Sequence, residues 1–221
     1  MFATIAGRYD FLNHLLSVNV DKRWRRIVKR RLTERLHSQE PLILDVACGT
    51  GDLSLQLFEI RGARVIGTDF CRPMLTIAAG KLPARTSLIE GDALLLPFKD
   101  GTFDAATIAF GLRNLAAWEA GLFELCRILK PNGWLAVLEF SRPSNAVLRT
   151  LFGLYFRKIL PLMGNLISGS SWAYSYLPDS VSRFPDQGQL SLLMEQAGFE
   201  QVSFENLAGG IAALHLGKRP E

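Results

Sequence analysis

The sequence predicts an α/β fold: a mostly parallel sheet of seven strands, flanked by helices, with an antiparallel hairpin at one edge. Three observations predict it. Between Leu42 and Phe140, short apolar runs alternate with segments of helical spacing, the pattern of βαβ units. A glycine turn, Ala47-Cys48-Gly49-Thr50-Gly51, follows the first apolar run and opens a helix. Two further apolar runs, Val202 to Leu207 and Ile211 to Leu216, are separated by little more than Gly209-Gly210 and read as the hairpin.

The elements follow in order. Residues 1–40 read as mostly helical, a cap ended by Pro41. Leu42 to Val46 is a buried strand with Asp45 near its end. Asp52 to Phe58 is a helix with an acidic first residue, favourable at the positive end of its dipole, and Gly62 closes it. Arg64 to Asp69 is the second strand. Pro73 to Lys81 is a helix with Pro in its first turn. Thr86 to Asp92 is the third strand, which places a third carboxylate at a strand end. Phe103 to Phe110 is the fourth, and Trp118 to Leu129 a helix stopped by the turn Lys130-Pro131-Asn132-Gly133. Trp134 to Phe140 is the fifth strand. Residues 144–188, rich in Leu, Phe, Tyr and Ser, read as a helical insertion or lid, and Leu190 to Ala197 as a helix stopped by Gly198. The 221 residues thus suit one domain.

Composition narrows the class. A chain 48% hydrophobic and 21% charged is neither disordered nor fibrous. Three Cys without a Cys-x-x-Cys pair argue against a disulfide framework and a zinc ribbon, and three scattered His argue against a metal site. The first residues carry no apolar stretch long enough for a secretory signal. The most apolar stretch, Leu148 to Ile167, is interrupted by Arg149, Arg157, Lys158 and Pro161, so it does not read as a membrane crossing. The net charge of +4 is local: residues 21–36 carry eight cations against Asp21 and Glu34, for +6, and the rest of the chain sums to −2. Such runs are ordinarily solvated faces. The sharper reading is attraction to anionic lipid, with Leu148 to Ile167 as a second, amphipathic contact.

In an open parallel sheet, ligands bind beyond the carboxyl ends of the strands, where the strand order reverses. Gly49, Gly51, Asp69, Asp92 and Gly111-Leu112-Arg113-Asn114 all fall there. Asp69 lies 18 residues past Gly51, the placement of an acidic group that accepts from ribose hydroxyls. A nucleoside-containing cofactor is therefore expected. No Gly-Lys-Ser/Thr follows the turn, which excludes a P-loop. Asp52, directly after Gly51, would stand where a diphosphate sits, so a dinucleotide fits poorly. S-adenosyl-L-methionine has no phosphate, and its sulfonium and ammonium suit acidic surroundings.

At these residues the chain resembles the Rossmann-like S-adenosylmethionine-dependent methyltransferases, and more specifically the ubiquinone/menaquinone biosynthesis C-methyltransferase family. The shared pattern runs through Met1-Phe2, Tyr9-Asp10, Leu12-Asn13, Trp24-Arg25, Asp45 to Leu53, and Leu96-Pro97-Phe98. It continues in Phe110-Gly111-Leu112-Arg113-Asn114, Leu138 to Pro143, Tyr174 to Leu177, Phe184 to Gln187 and Asn206 to Gly210 with His215. The Phe-Gly-Leu-Arg-Asn and Leu-Glu-Phe-Ser-Arg-Pro runs are the most specific. Family members commonly carry residues ahead of the Met-Phe motif, which here opens the chain.

The resemblance implies a single Rossmann-like methyltransferase domain, with a cap at 1–40 and an insertion at about 144–188. The implied activity is methyl transfer from S-adenosyl-L-methionine to a ring carbon of a polyprenylated quinol. For menaquinone the acceptor is demethylmenaquinol; for ubiquinone it is a methoxy-benzoquinol. The expected cofactor residues are Asp45, Gly49, Thr50, Gly51, Asp69, Phe70, Asp92, Ala93 and Ala109. Some relatives carry Ser where this chain has Ala109. Asn114, Tyr174 and Tyr176 are expected at the acceptor.

A quinol carbon becomes nucleophilic when an adjacent phenol, of pKa about 10, loses its proton, and a nearby cation favours that anion. Arg113 is the first candidate, the ordinary alternative being an ion pair with Asp45 or Asp92. Tyr9 and His14 are the other catalytic candidates, with His14 as a base. A peripheral membrane contact through Lys22 to Arg35, on the cytoplasmic side, is expected; a homodimer is left open and nucleic acid is not expected as a partner. Two other classes remain: an RNA-directed or other small-molecule methyltransferase, and a cofactor-binding regulatory module.

Overall fold

The computed structural model describes residues 20–143, 145–154 and 179–221. Its strands are β1 (Leu42–Val46), β2 (Arg64–Asp69), β3 (Ser87–Glu90), β4 (Phe103–Ala109), β5 (Leu129–Phe140), β6 (Glu200–Leu207) and β7 (Ala212–Lys218). They form one sheet in the order β3-β2-β1-β4-β5-β7-β6. β1 pairs in parallel with β2 on one side and β4 on the other, with Ile43 opposite Val65 and Ala105. The chain winds outward from β1 to β3, then crosses back to β4, so strand order reverses between β1 and β4.

The helices are α1 (Val20–Thr33), α2 (Asp52–Leu57), α3 (Arg72–Lys81), α4 (Trp118–Ile128), α5 (Ala146–Leu154) and α6 (Gln187–Gln196). Period-two alternation in the strands divides the core. On one face Leu44, Val46, Ala106, Ile108, Leu135 and Val137 meet Leu122, Leu125 and Ile128 of α4 and Leu190 and Met194 of α6. On the other, Ile43, Val65, Ala105, Ala136 and Leu138 meet Trp24, Val28 and Leu32 of α1 and Leu53 and Leu57 of α2. Trp24, Val28 and Leu32 recur every fourth residue, which gives α1 one apolar stripe; Lys22, Arg23, Arg26 and Arg30 stay exposed, whereas Arg25 is buried.

Three expectations are corrected. β3 stops at Glu90, so Asp92 lies two residues beyond the strand end. Its carboxylate Oδ1 accepts the Leu94 N–H at 2.9 Å, and that local turn competes with extension of the strand. Lys130 to Gly133 does not separate α4 from β5. Pairing begins at Leu129 opposite Phe103, and the turn is carried as a bulge with Asn132 at φ 65°. α6 begins at Gln187 rather than Leu190, because Asp186 and Gln189 form a reciprocal capping box. The expected edge hairpin is present: β7 inserts antiparallel beside β5, and β6 forms the edge. Of the expected cap, residues 20–33 are helical. Of the insertion, α5 and residues 179–183 are helical.

Candidate functional site

A cavity of about 250 Å³ opens at the carboxyl ends of β1, β2 and β4, where the strand order reverses. The glycine turn forms one side. Ala47, Gly49 and Gly51 have φ of 51°, 55° and 84°. A side chain at Gly49 would meet nothing within 4 Å, whereas one at Gly51 would come within 2.8 Å of Leu82. The turn is therefore open above Gly49 and packed shut below Gly51. Cys48 N–H donates to the Thr68 carbonyl at 3.0 Å, which ties the turn to β2.

Asp69, at the end of β2, lies on the cavity wall. Its Oδ2 accepts from Gly49 N–H at 2.8 Å and its Oδ1 from Cys71 N–H at 2.9 Å. Burial pushes this carboxyl above its ordinary value, while the N–H groups of Cys71 and Gly49 pull the other way. Asp92 and Ala93 form the next stretch of wall. Phe70, 62% exposed, stands at the rim, and Ala109 and Asn114 close the far side. Seven expected residues thus share one cavity: Gly49, Asp69, Phe70, Asp92, Ala93, Ala109 and Asn114. An open glycine turn, two wall carboxylates and the apolar Phe70 and Met74 suit a nucleoside that carries positive charge.

Three expected cofactor residues lie off the wall. Asp45 is buried beneath the turn and accepts from Ser54 Oγ at 2.5 Å and Thr107 Oγ1 at 2.7 Å, joining α2 to β4. Burial raises its pKa to about 6, against the pull of those hydroxyls and of Arg25. Thr50 is buried, with Lys81 Nζ 3.4 Å from its hydroxyl. Gly51 caps α2. Asp52 also lies off the wall: it pairs with Lys81, and Arg25 Nη2 stands 3.8 Å away. The objection that Asp52 would repel a diphosphate therefore fails, and the acidic character of the cavity belongs to Asp69 and Asp92.

Phe110, just past β4, holds φ 57°, a conformation costly for a residue with a Cβ. Its neighbours enforce it. Its N–H donates to Leu138 O at 2.8 Å. Its carbonyl accepts from Arg113 Nη1 at 2.7 Å and Asn114 Nδ2 at 3.2 Å. Its ring centroid is 6.1 Å from Trp24 and 4.8 Å from Phe140. Gly111 follows because a Cβ there would come 2.6 Å from the Ala47 Cβ.

Arg113 is buried behind this corner. Its Nη1 donates to Glu139 Oε2 at 2.8 Å, and its backbone N–H to Oε1 at 3.2 Å. The ion pair is with Glu139, not with Asp45 or Asp92. Its Nε is buried without a partner among the described residues. Glu139 was missed in sequence; the signal was an ionisable residue inside a buried apolar strand. Met74 and Leu115 on the wall carry no signal, being ordinary core types. Tyr9, His14, Tyr174 and Tyr176 lie outside the described residues.

The chain matches the ubiE/COQ5 methyltransferase family over residues 1–219. It is 50% identical to the demethylmenaquinone methyltransferase of Thermus thermophilus, over the whole of both chains. It is 41% identical to the ubiquinone/menaquinone biosynthesis C-methyltransferase UbiE of Geotalea uraniireducens, over 99% of this chain and 94% of that one. A structure of an S-adenosylmethionine-dependent methyltransferase from Thermotoga maritima superposes with a TM-score of 0.68 at 22% identity, over 99% of this chain and 98% of that one, and shares the fold.

Two outcomes follow from the site. Asp69→Ala removes the clamp on the turn and a carboxylate from the cavity wall. Its affinity for S-adenosylhomocysteine, measured by calorimetry, is expected to fall about tenfold or more. An affinity within about twofold of wild type would remove Asp69 from the nucleoside site. The second concerns pH. The Asp45 value rises from 3.8 unfolded to about 6 folded, so the folded state holds the extra proton between those values. The stability this confers is present at low pH and is lost as pH rises through about 6. The Tm of Asp45→Asn should therefore gain on wild type from about pH 4 to about pH 6. Parallel Tm courses for the two proteins would contradict this.

Proposed function

The chain belongs to the ubiE/COQ5 methyltransferase family, and we propose that it transfers the methyl group of S-adenosyl-L-methionine to a ring carbon of a polyprenylated quinol, with demethylmenaquinol as the preferred acceptor. The observation that carries this reading is the cavity at the strand-order reversal, walled by Asp69 and Asp92, in a chain that the family pattern covers almost end to end. The names of the similar Thermus and Geotalea proteins supply the quinone pathway.

The chemistry is an in-line displacement. The S–CH₃ bond breaks as the ring C–CH₃ bond forms, and the ring carbon then loses its proton. The sulfonium is a good leaving group, so the protein chiefly aligns the two partners and favours the phenolate. When bound, the cofactor supplies the electrophilic methyl. Asp69 and Asp92 orient the nucleoside. The Phe110–Asn114 corner faces the acceptor, with Asn114 on the wall. Arg113, paired with Glu139 and bound to the Phe110 carbonyl, holds that corner in place for the acceptor rather than offering it a free charge. Tyr9, His14, Tyr174 and Tyr176 complete the proposal as residues of the acceptor side.

Attachment to the membrane surface through α1 is part of the same reading. Arg25, Lys29, Arg31 and Arg35 are engaged with Asp21, Glu59, Glu205 and Glu34. Lys22, Arg23 and Arg26 are exposed, with no ion pair among the described residues. They lie in the first two turns of the helix, and each cation near an anionic bilayer contributes about 1 kcal/mol. No helix of the described residues is long and apolar enough to cross a membrane.

Single turnover with methyl-labelled cofactor and a short-chain demethylmenaquinol is expected to label the quinol ring. Cofactor binding without transfer would point to a regulatory module, and labelled RNA to the other methyltransferase class. In vesicle sedimentation at low salt, replacing Lys22, Arg23 and Arg26 by Gln should abolish most binding to anionic vesicles, on the order of 3 kcal/mol in total. Equal binding by wild type and variant would remove α1 as the contact.

A further inference from the structure

Arg25 is one of the eight cations of residues 21–36, but the structure sets it apart from the exposed ones. It is 9% exposed and lies beside the apolar stripe of α1, whereas Lys22, Arg23 and Arg26 around it face solvent. A guanidinium so placed has lost its water and must find its partners inside the protein.

Those partners belong to three elements. Arg25 pairs with Asp21, one turn back on α1 and itself buried. Its Nη2 stands 3.8 Å from Asp52 Oδ2, while Lys81 holds Asp52 through Oδ1. Its Cζ lies 5.9 Å from the centroid of the Phe110 ring, within reach of the negative ring face. A planar guanidinium can serve carboxylates at its edge and lie over a ring with its face.

Asp52 and Phe110 stand on the two loops that flank the cavity. Asp52 opens α2 directly after Gly51, and the turn before it contributes Gly49 to the wall. Phe110 follows β4 and is itself on the wall. β1 and β4 are neighbours in the sheet, and the strand order reverses between them. Each loop is tied to its outer side: the turn to β2 through Cys48 N–H and Thr68 O, the corner to β5 through Phe110 N–H and Leu138 O. These ties run to opposite sides of the cavity, and Arg25 spans between the two loops from the α1 face of the sheet. Its charge also reaches Asp45 beneath the turn, whose pKa it pulls down. Both loops hold residues in left-handed conformations, Ala47 at φ 51° and Phe110 at φ 57°, so their shapes depend on what surrounds them.

We propose that Arg25 is a positioning residue for the methyl donor: bound to Asp52 and lying over Phe110, it sets the separation between the glycine turn and the Phe110 corner to fit the nucleoside between them. The inference rests on the reading of this cavity as the S-adenosyl-L-methionine site.

Arg25→Met keeps most of the apolar stem and removes the guanidinium. Its affinity for S-adenosylhomocysteine, measured by calorimetry, is expected to fall about tenfold. Because this variant also takes away the charge opposite buried Asp21, it is compared with Arg25→Met/Asp21→Asn, in which the charge balance is restored. The double variant is expected to regain the Tm of wild type while its affinity stays about tenfold down. An affinity within about twofold of wild type in the single variant overturns the proposal. So does an affinity that returns together with the Tm in the double variant, the mark of a merely structural residue. A double variant that does not regain its Tm likewise makes Arg25 structural and overturns it. Equal binding of S-adenosylhomocysteine by wild type and Asp69→Ala would instead overturn the assignment of the cavity.

Discussion

The site depends on the Asp69 carboxylate and the two backbone N–H groups it holds. One belongs to Gly49 in the turn after β1, the other to Cys71 at the start of α3. A turn with three residues at positive φ has little to hold it by itself. The clamp fixes it against β2 and leaves the carboxylate on the cavity wall. Burial makes the charge expensive and the two N–H groups offset that cost, so the carboxylate on the cavity wall also builds the turn that forms the wall. Asp45 acts from below, joining Ser54 of α2 to Thr107 of β4, and so sets where the helix after the turn begins.

On the far wall the same logic works through a different pair. Phe110 is held in a left-handed conformation by two donors on its carbonyl and by aromatic neighbours on its ring. The donor Arg113 is itself neutralised by Glu139 from β5. Removing one partner of such a buried pair leaves an uncompensated charge, which costs several kcal/mol. The corner where a methyl acceptor would approach is thus fixed by a network that reaches from β4 to β5. Trp24 extends it to α1, whose inner face packs on Phe110 while its outer face carries the exposed cations.

The hairpin is an added element whose strand order decides what meets the end of β5. β7 enters beside β5 in the opposite direction, which brings the Gly209-Gly210 turn to the carboxyl end of the sheet. There α5 packs against it and Gln187 bonds to it. With the hairpin in chain order, β6 and not β7 would have met β5, and His215 would have lain on the edge.

Local sequence determined the alternation of strands and helices, the glycine turn, and Asp69 as the carboxylate at the end of β2, because apolar period, turn residues and strand ends are read within a few residues. It also marked Asp92 and Asn114, and the family resemblance added Ala93 and Ala109, all of which tertiary structure then gathered around one cavity. What it could not determine were pairings between residues distant along the chain. Asp52 read as an anion where a diphosphate would sit until Lys81 and Arg25 were brought to it. Arg113 read as a cation for the acceptor or as a partner of Asp45 or Asp92, until Glu139, 26 residues on, proved to be its partner. Which strand of the hairpin faced β5 was likewise undecided, since either order buries an apolar face; only the packed sheet, with Ala213 set opposite Glu139, decides it.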